Sequence, residues 1–187
     1  RRASSAEFAA RTGQTAGSDT LEPRLTIALD PGHGGSDPGT THGSLHEADL
    51  MLSFARELKA DLLRTTDFDV VLTRTEDRFV PLRARVTRAR QAGADLFLSL
   101  HADGIERGSA TGATVFTHRA GASPPPAGPG QRDAVLASTG QALPGSALMQ
   151  RENLYRSRDL AAAIVSALKT AQLQLYKHPR QEADFVV

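Results

Sequence analysis

Two histidines and one glutamate have residue types and a spacing suited to metal chemistry. His33 and His101 each follow a short apolar run, and Glu47 lies in the segment after the first of these runs. Proteins hold catalytic zinc with three such imidazole and carboxylate ligands and keep a fourth position for water. Water bound in that position becomes a nucleophile near neutral pH. His33, Glu47 and His101 are therefore candidate metal ligands.

Each of the three residues also has an interpretation without a metal. His33 lies between glycines, which is typical of a tight turn that needs no ligand. Residues 44–47, Ser-Leu-His-Glu, fit a capping box in which Glu47 reaches back to the amide of Ser44 at a helix start. His101 can simply end a buried strand. Residue type and spacing leave these alternatives open.

Other polar residues compete with this set or support it. His42 and His46 remain possible ligands on spacing alone, whereas His118 and His178 are interpreted as surface residues. Metal-bound histidines usually donate their second ring N–H to a carboxylate. Asp30 and Asp103, one beside each candidate histidine, are the carboxylates expected to accept these hydrogen bonds. Ser36 and Asp37 are interpreted as ordinary turn residues.

The apolar pattern predicts the elements that position these side chains. Strands are predicted at 25–29, 69–73, 96–100 and 113–117, with another beginning at 184–187, and helices at about 45–63, 81–91 and 158–171. This alternation favours one α/β domain with a mainly parallel, twisted sheet and helices on both faces. Ligands of such sheets bind beyond the carboxyl ends of the strands, so His33 and His101 should face the same edge.

Two of the predicted helices carry further expectations. The first should turn one apolar face inward, formed by Leu50, Met51, Phe54, Ala55, Leu58 and Leu62. The second carries Arg83, Arg85, Arg88 and Arg90, which we interpret as a solvated face. Arg85 falls nearest the buried side of that helix and is expected to pair with an acid.

Composition limits the class of protein. The chain has 187 residues, a formal net charge of +1 and no cysteine, which excludes a thiolate metal site and gives no strong attraction to nucleic acid. No apolar run approaches the roughly 20 residues of a transmembrane helix. Residues 1–23 are predicted to be a flexible leader or linker, and 24–187 a zinc-binding domain with a Pro/Gly-rich insertion at about 120–150.

Several motifs resemble one known family. Residues 29–39, LDPGHGGSDPG, look like the opening motif of the zinc-dependent N-acetylmuramoyl-L-alanine amidases of the type-3 group. The resemblance continues through Glu47, 73–77, 82–85, 99–103, 157–168 and 183–187. It covers the chain from about Leu25 to Val187, interrupted after Ala120. Taken together, these motifs are highly specific for the family.

The resemblance implies a zinc ion held by His33, Glu47 and His101, in preference to the capping box and to His42 or His46. Family members hydrolyse the amide bond between N-acetylmuramic acid and L-alanine in peptidoglycan. They act in the periplasm or cell wall, often in daughter-cell separation. Some carry an insertion that covers the zinc until a protein activator removes it. The 120–150 segment occupies a comparable place, although a flexible surface loop is its plainer interpretation.

One expected catalytic residue has no match. In the family, a second glutamate takes the proton of the attacking water, on a strand shortly after the stretch matched by residues 183–187. Glu106, Glu152 and Glu182 do not match that position, so the domain is predicted to be incomplete at its C-terminus, with no general base assigned. We expect residues 1–187 to bind zinc with little or no hydrolysis. The alternatives are a zinc-containing wall-binding or regulatory domain, or another zinc hydrolase.

Overall fold

The computed structural model describes residues 24–65, 67–102, 111–119 and 144–184. Seven strands and three helices follow one another within these ranges. They are β1 (Leu25–Pro31), β2 (Thr41–His42), β3 (Leu45–His46), α1 (Glu47–Arg64), β4 (Phe68–Leu72), α2 (Leu82–Gln91), β5 (Leu96–Leu100), β6 (Ala113–His118), α3 (Pro144–Thr170) and β7 (Leu175–Ala183). The predicted leader at 1–23 lies outside the described residues.

A parallel sheet with strand order β4-β1-β5 positions the candidate site. The central strand β1 is buried from Ile27 to Pro31, because it pairs with a neighbour on each side. Pro31 aligns with Leu100, so β1 and β5 end at the same edge. A second parallel pair joins β6 to β7, and β2 and β3 form an antiparallel hairpin. These parallel strands and the helices between them confirm the predicted α/β fold.

Helix α1 packs against β1 and β4 with a face that only partly matches the predicted one. Ala48, Leu52 and Ala55 are buried, while Leu50 and Phe54 are 45% and 49% exposed. The prediction for those two residues was wrong, because the buried stripe is centred on small side chains that bring the helix close to the sheet. Leu58 and Leu62 do pack against the core cluster of Ile27, Leu29 and Val70.

The structure corrects the start of one predicted helix and contains a strand that the sequence did not predict. Helix α3 begins at Pro144 rather than at about residue 158, so the end of the predicted 120–150 insertion is helical. The rest of that insertion, 120–143, lies outside the described residues. Strand β7 precedes the strand predicted to begin at 184–187, and it was missed because exposed polar residues interrupt its apolar pattern. Residues 185–187 lie outside the described ranges.

A buried ion pair joins α2 to the end of β1. Arg85 Nη1 lies 3.0 Å from Asp30 Oδ1, and the two side chains are 3% and 2% exposed. The Asp30 carboxylate also accepts hydrogen bonds from the hydroxyls of Thr73 and Ser99. The expectation that Arg85 pairs with an acid is therefore confirmed, and each polar atom of the Asp30 carboxylate has a donor.

Replacing Arg85 by Leu should strongly destabilise the domain. The change leaves the Asp30 carboxylate buried without its cation, and breaking one side of a buried pair costs about 3–5 kcal/mol. Arg90→Leu, on the exposed side of the same helix, should cost less than about 1 kcal/mol. Urea unfolding monitored by circular dichroism measures both free energies. Equal losses would show that the buried pair adds nothing.

Candidate metal centre

Three side chains from three elements meet at the carboxyl edge of the β4-β1-β5 sheet. His33 follows β1, Glu47 is the first residue of α1, and His101 directly follows β5. One ligand atom from each lies within 4.8 Å of the other two. The structure thus brings together the three residues that the sequence proposed as ligands, from positions far apart in the chain.

His33 is oriented by its backbone and by Asp37. Its φ of 59° lies in the left-handed region, which turns the chain back after β1. His33 Nδ1 lies 2.9 Å from Asp37 Oδ2. Asp37 accepts a hydrogen bond from Nδ1–H in the tautomer that a metal ligand needs, which has its lone pair on Nε2. That nitrogen lies 3.2 Å from Glu47 Oε1.

Glu47 is held as a buried carboxylate. Its Oε2 accepts a hydrogen bond from the Thr40 amide, and its Oε1 accepts one from the Ala102 amide, both at 2.9 Å. Burial raises the pKa of Glu47, but these amides, together with His33 and His101, outweigh burial and hold that pKa below its ordinary value. The carboxylate is therefore charged at neutral pH and available as a ligand.

The helix start differs from the predicted capping box. The N-cap of α1 is His46, which makes no side-chain cap hydrogen bond, and Ser44 belongs to the turn of the preceding hairpin. Because the Glu47 carboxylate binds amides from Thr40 and Ala102 rather than that of Ser44, the capping interpretation was wrong.

His101 completes the group from the other side. Its Nδ1 lies 3.1 Å from Glu47 Oε1, and its side chain is 43% exposed. The rings of His33 and His101 are 5.0 Å apart and nearly perpendicular, at 84°. A Cβ on Gly32 would lie only 2.4 Å from His101 Cε1. Glycine at position 32 is therefore required for His101 to occupy this place.

The predicted partner of His33 was wrong. Asp30 contacts neither histidine, because Arg85, Thr73 and Ser99 occupy its carboxylate. Asp37 takes the expected role for His33, and the sequence interpretation missed it. The position of Asp37 four residues after His33, within one turn, is the sequence feature that could have indicated this pair. Asp103 lies outside the described residues.

The remaining candidates in the described residues are not members of the converging group. His42 and His46 are exposed on the β2–β3 hairpin, and His46 faces Asp49 at 3.6 Å. Glu152 and Glu182 form ion pairs with Arg156 and Arg158, respectively. Glu106 lies outside the described ranges. No general base is assigned.

The group's geometry fits a metal ion. Tetrahedral bonds of about 2.0–2.1 Å separate ligand atoms by about 3.3–3.4 Å. The nitrogens of His33 and His101 lie 3.2 and 3.1 Å from the same Glu47 oxygen. In the tautomer with Nδ1–H, the lone pair of His33 Nε2 would face a carboxylate oxygen, an arrangement that a shared cation would stabilise. Two imidazoles and one carboxylate match the ligands of catalytic zinc.

Replacing Asp37 by Asn should weaken metal binding about 10- to 100-fold, the usual effect of losing a carboxylate behind a metal-bound histidine. The hydrogen bond from His33 lowers the pKa of Asp37, so the carboxylate is charged at neutral pH. Asp49→Asn is the matched control, because Asp49 faces a histidine outside the group. Zinc competition titration measures both constants. Equal affinities would contradict a role for Asp37.

Fold and site together define an α/β domain with a candidate metal centre at the edge of its parallel sheet. The sequence profile described as N-acetylmuramoyl-L-alanine amidase matches residues 27–187. The chain therefore belongs to the N-acetylmuramoyl-L-alanine amidase family of the type-3 group, which confirms the resemblance seen in its motifs.

Individual relatives agree with this assignment. The amidase AmiC of Neisseria meningitidis serogroup B is 43% identical over 112 residues, which are 59% of this chain and 27% of that protein. AmiA of Salmonella typhimurium is 48% identical over 92 residues, covering 48% of this chain and 31% of that protein. The chain thus spans about a quarter to a third of the length of these relatives.

Among solved structures, AmiC2 of Nostoc punctiforme is similar, with 36% identity and a TM-score of 0.48. The match covers 52% of this chain and 54% of that one. Within the described part of the chain, no helix has the length and apolar character needed to cross a membrane.

Proposed function

We propose that this chain provides the zinc site of an enzyme that hydrolyses the amide bond between N-acetylmuramic acid and L-alanine in peptidoglycan. The observation that carries the proposal is the convergence of His33, Glu47 and His101 on one point, within a chain of this family. The names of the relatives supply the reaction.

The three residues have distinct tasks in this proposal. His33 and His101 each provide a neutral ring nitrogen, and Glu47 provides the negative charge. A zinc ion bound by these three residues would supply Lewis acidity and lower the pKa of a bound water molecule. The buried Glu47 is fixed by two amides, so it holds its position without reorganising during the reaction.

Access to the site fits a large substrate. His101 is 43% exposed and His33 25%, whereas Glu47 is buried beneath them. A polymer such as peptidoglycan can therefore approach from the exposed side of the histidines, while the carboxylate stays protected from solvent. We further propose that the protein acts after export, in the periplasm or cell wall, in wall remodelling or cell separation.

The experiment combines metal analysis with a peptidoglycan digest. The purified protein, in the form that the cell makes, should contain one zinc ion per chain and release stem peptides with a free L-alanine amino group. Mass spectrometry of the soluble products identifies the bond that was cleaved. His101→Ala should remove both zinc and product, whereas His42→Ala should keep both.

Two other results would overturn the proposal in different ways. Cleavage of a bond within the peptide or the glycan would indicate another zinc hydrolase. Binding to intact peptidoglycan without release of peptides, by a zinc-loaded protein, would indicate a wall-binding or regulatory domain.

A further inference from the structure

Arg74 is a buried cation directly behind the metal centre. It lies two residues after β4 and is 1% exposed, the largest of the fully buried side chains. Within the described residues, no carboxylate forms a salt bridge with it; its hydrogen bonds go to backbone carbonyls instead. Burying a charge is costly unless every donor is satisfied, so these carbonyls explain how it is tolerated there.

The carbonyls that Arg74 binds belong to the two segments carrying His33 and Glu47. Its Nε donates to Pro31 O at 2.9 Å, and its Nη2 donates to Gly32 O at 2.8 Å. The same Nη2 also donates to Ala48 O at 2.7 Å. Gly32 directly precedes His33, and Ala48 directly follows Glu47. A single nitrogen atom therefore bridges the neighbours of two candidate ligands.

Gly32 also connects this bridge to the third ligand segment. Its amide donates to Leu100 O at 2.9 Å, and Leu100 directly precedes His101. A fixed position for Gly32 therefore constrains the strand end from which His101 projects. Through Gly32, the hydrogen bonds of Arg74 extend to all three segments.

The guanidinium group is chemically suited to this position. It is planar and rigid, carries five N–H donors, and the two hydrogens on each terminal nitrogen point in different directions. A lysine ammonium keeps the charge but cannot reproduce the planar fork of Nε and Nη2 toward three carbonyls. An apolar residue of similar size would remove all of these hydrogen bonds, although Pro31 O would keep the one from Arg85 Nη1.

We propose that Arg74 is a positioning residue that sets the separation of His33 and Glu47 before a metal binds. The inference rests on the proposed metal centre and adds a residue that acts through the backbone without touching the metal. A site whose ligands are already in place binds a metal more tightly than one whose segments move apart.

The test compares Arg74→Lys with Arg88→Lys. Arg88 is a fitting control because its Nη1 donates to the carbonyl of Thr73, outside the ligand segments. Zinc affinity is measured by chelator competition, at a temperature where circular dichroism shows each protein folded. We expect Arg74→Lys to raise the dissociation constant about 10- to 100-fold, and Arg88→Lys to leave it unchanged. The visible spectrum of the Co²⁺-loaded Arg74→Lys protein should also change, because the ligand geometry relaxes.

A purely structural role for Arg74 gives a different result. It would lower the unfolding temperature but leave the zinc dissociation constant and the Co²⁺ spectrum of the folded variant as in the wild type, and that outcome overturns the inference. If Arg74→Lys does not fold, hydrogen exchange of the Arg74 Nε–H in the wild-type protein decides. Zinc should slow that exchange by a larger factor than it slows exchange of the buried Val70 amide in β4, and equal factors refute the inference.

The proposed metal centre and the proposed role of Arg74 can be refuted separately. A wild-type chain that binds no metal contradicts the proposed centre, and the inference falls with it. A wild-type chain that binds one metal ion, with Arg74→Lys binding equally well, leaves the centre intact and overturns only the inference about Arg74.

Discussion

His101→Ala and His33→Asn should each abolish stoichiometric metal binding. Each removes one of three ligands. Losing a carboxylate hydrogen-bonded behind a ligand typically costs about 10- to 100-fold in affinity, so we expect the loss of a ligand to cost more than about 100-fold. Asn is chosen at position 33 because the φ of 59° there is a backbone conformation that Asn tolerates. Elemental analysis of protein dialysed against a weak chelator measures the bound metal.

The two exposed hairpin histidines provide matched controls. His42→Ala and His46→Ala also remove an imidazole close to the site in sequence, but neither side chain belongs to the converging group. Both variants should keep one metal ion per chain. Full metal content in His101→Ala and His33→Asn, or loss of the metal from His42→Ala, would refute the assignment of ligands.

Thermal unfolding offers an independent readout of the same prediction. A ligand present at 100 times its dissociation constant stabilises the folded state by about 2.7 kcal/mol. Zinc should therefore raise the unfolding temperature of the wild type and of both hairpin controls. The two ligand variants should show no such increase at the same zinc concentration.

Gly39→Ala should disrupt the metal centre without removing any ligand. A Cβ at this position would lie 2.6 Å from His33 Cδ2 and 2.8 Å from Glu47 Oε2. Glu47 cannot simply move away, because the amides of Thr40 and Ala102 hold its carboxylate. The His33 ring and the Glu47 carboxylate must therefore shift to make room. We expect zinc affinity to fall by at least about tenfold, as when a ligand is misoriented.

Gly43→Ala separates this steric effect from backbone strain. Gly39 and Gly43 have similar φ values of 66° and 60°, so alanine should cost about 1–2 kcal/mol of stability at either position. A Cβ on Gly43, however, meets nothing within 4 Å. Both variants should therefore unfold more easily, but only Gly39→Ala should bind zinc weakly. Equal zinc affinities in the two would show that the space at Gly39 is not needed by the ligands.

Local sequence patterns were sufficient for the sheet that carries the site. The apolar run at residues 96–100 matches strand β5, and the residues following Pro81 form a helix to Gln91 as predicted. Because parallel strands end at one edge, the same pattern was enough to predict that His33 and His101 meet. The structure brings them together, and their role as ligands stays a prediction that metal analysis tests.

Helix faces and helix starts were less predictable. A period of 3.6 residues identifies an amphipathic helix, but its rotation depends on which side chains allow close approach to the sheet. Ala48 and Leu52 are buried, whereas Leu50 and Phe54, which were predicted to face inward, remain half exposed. The start of α3 at Pro144 lies within a stretch rich in Gly, Pro and Ser, whose composition indicates a loop.

The amino-acid sequence by itself determined the fold class through its periodicity and the family through its motifs, whereas residue type and spacing alone left several candidate metal ligands open. Only the tertiary structure decided which hydrogen-bond donors each carboxylate binds. Glu47 is a buried carboxylate rather than a helix cap, because its donors include the amide of Ala102, 55 residues away. Asp30 forms an ion pair with Arg85, and Asp37 forms a hydrogen bond with His33. A carboxylate accepts hydrogen bonds from whichever donors the fold places around it, and a local sequence pattern does not indicate which donors those are.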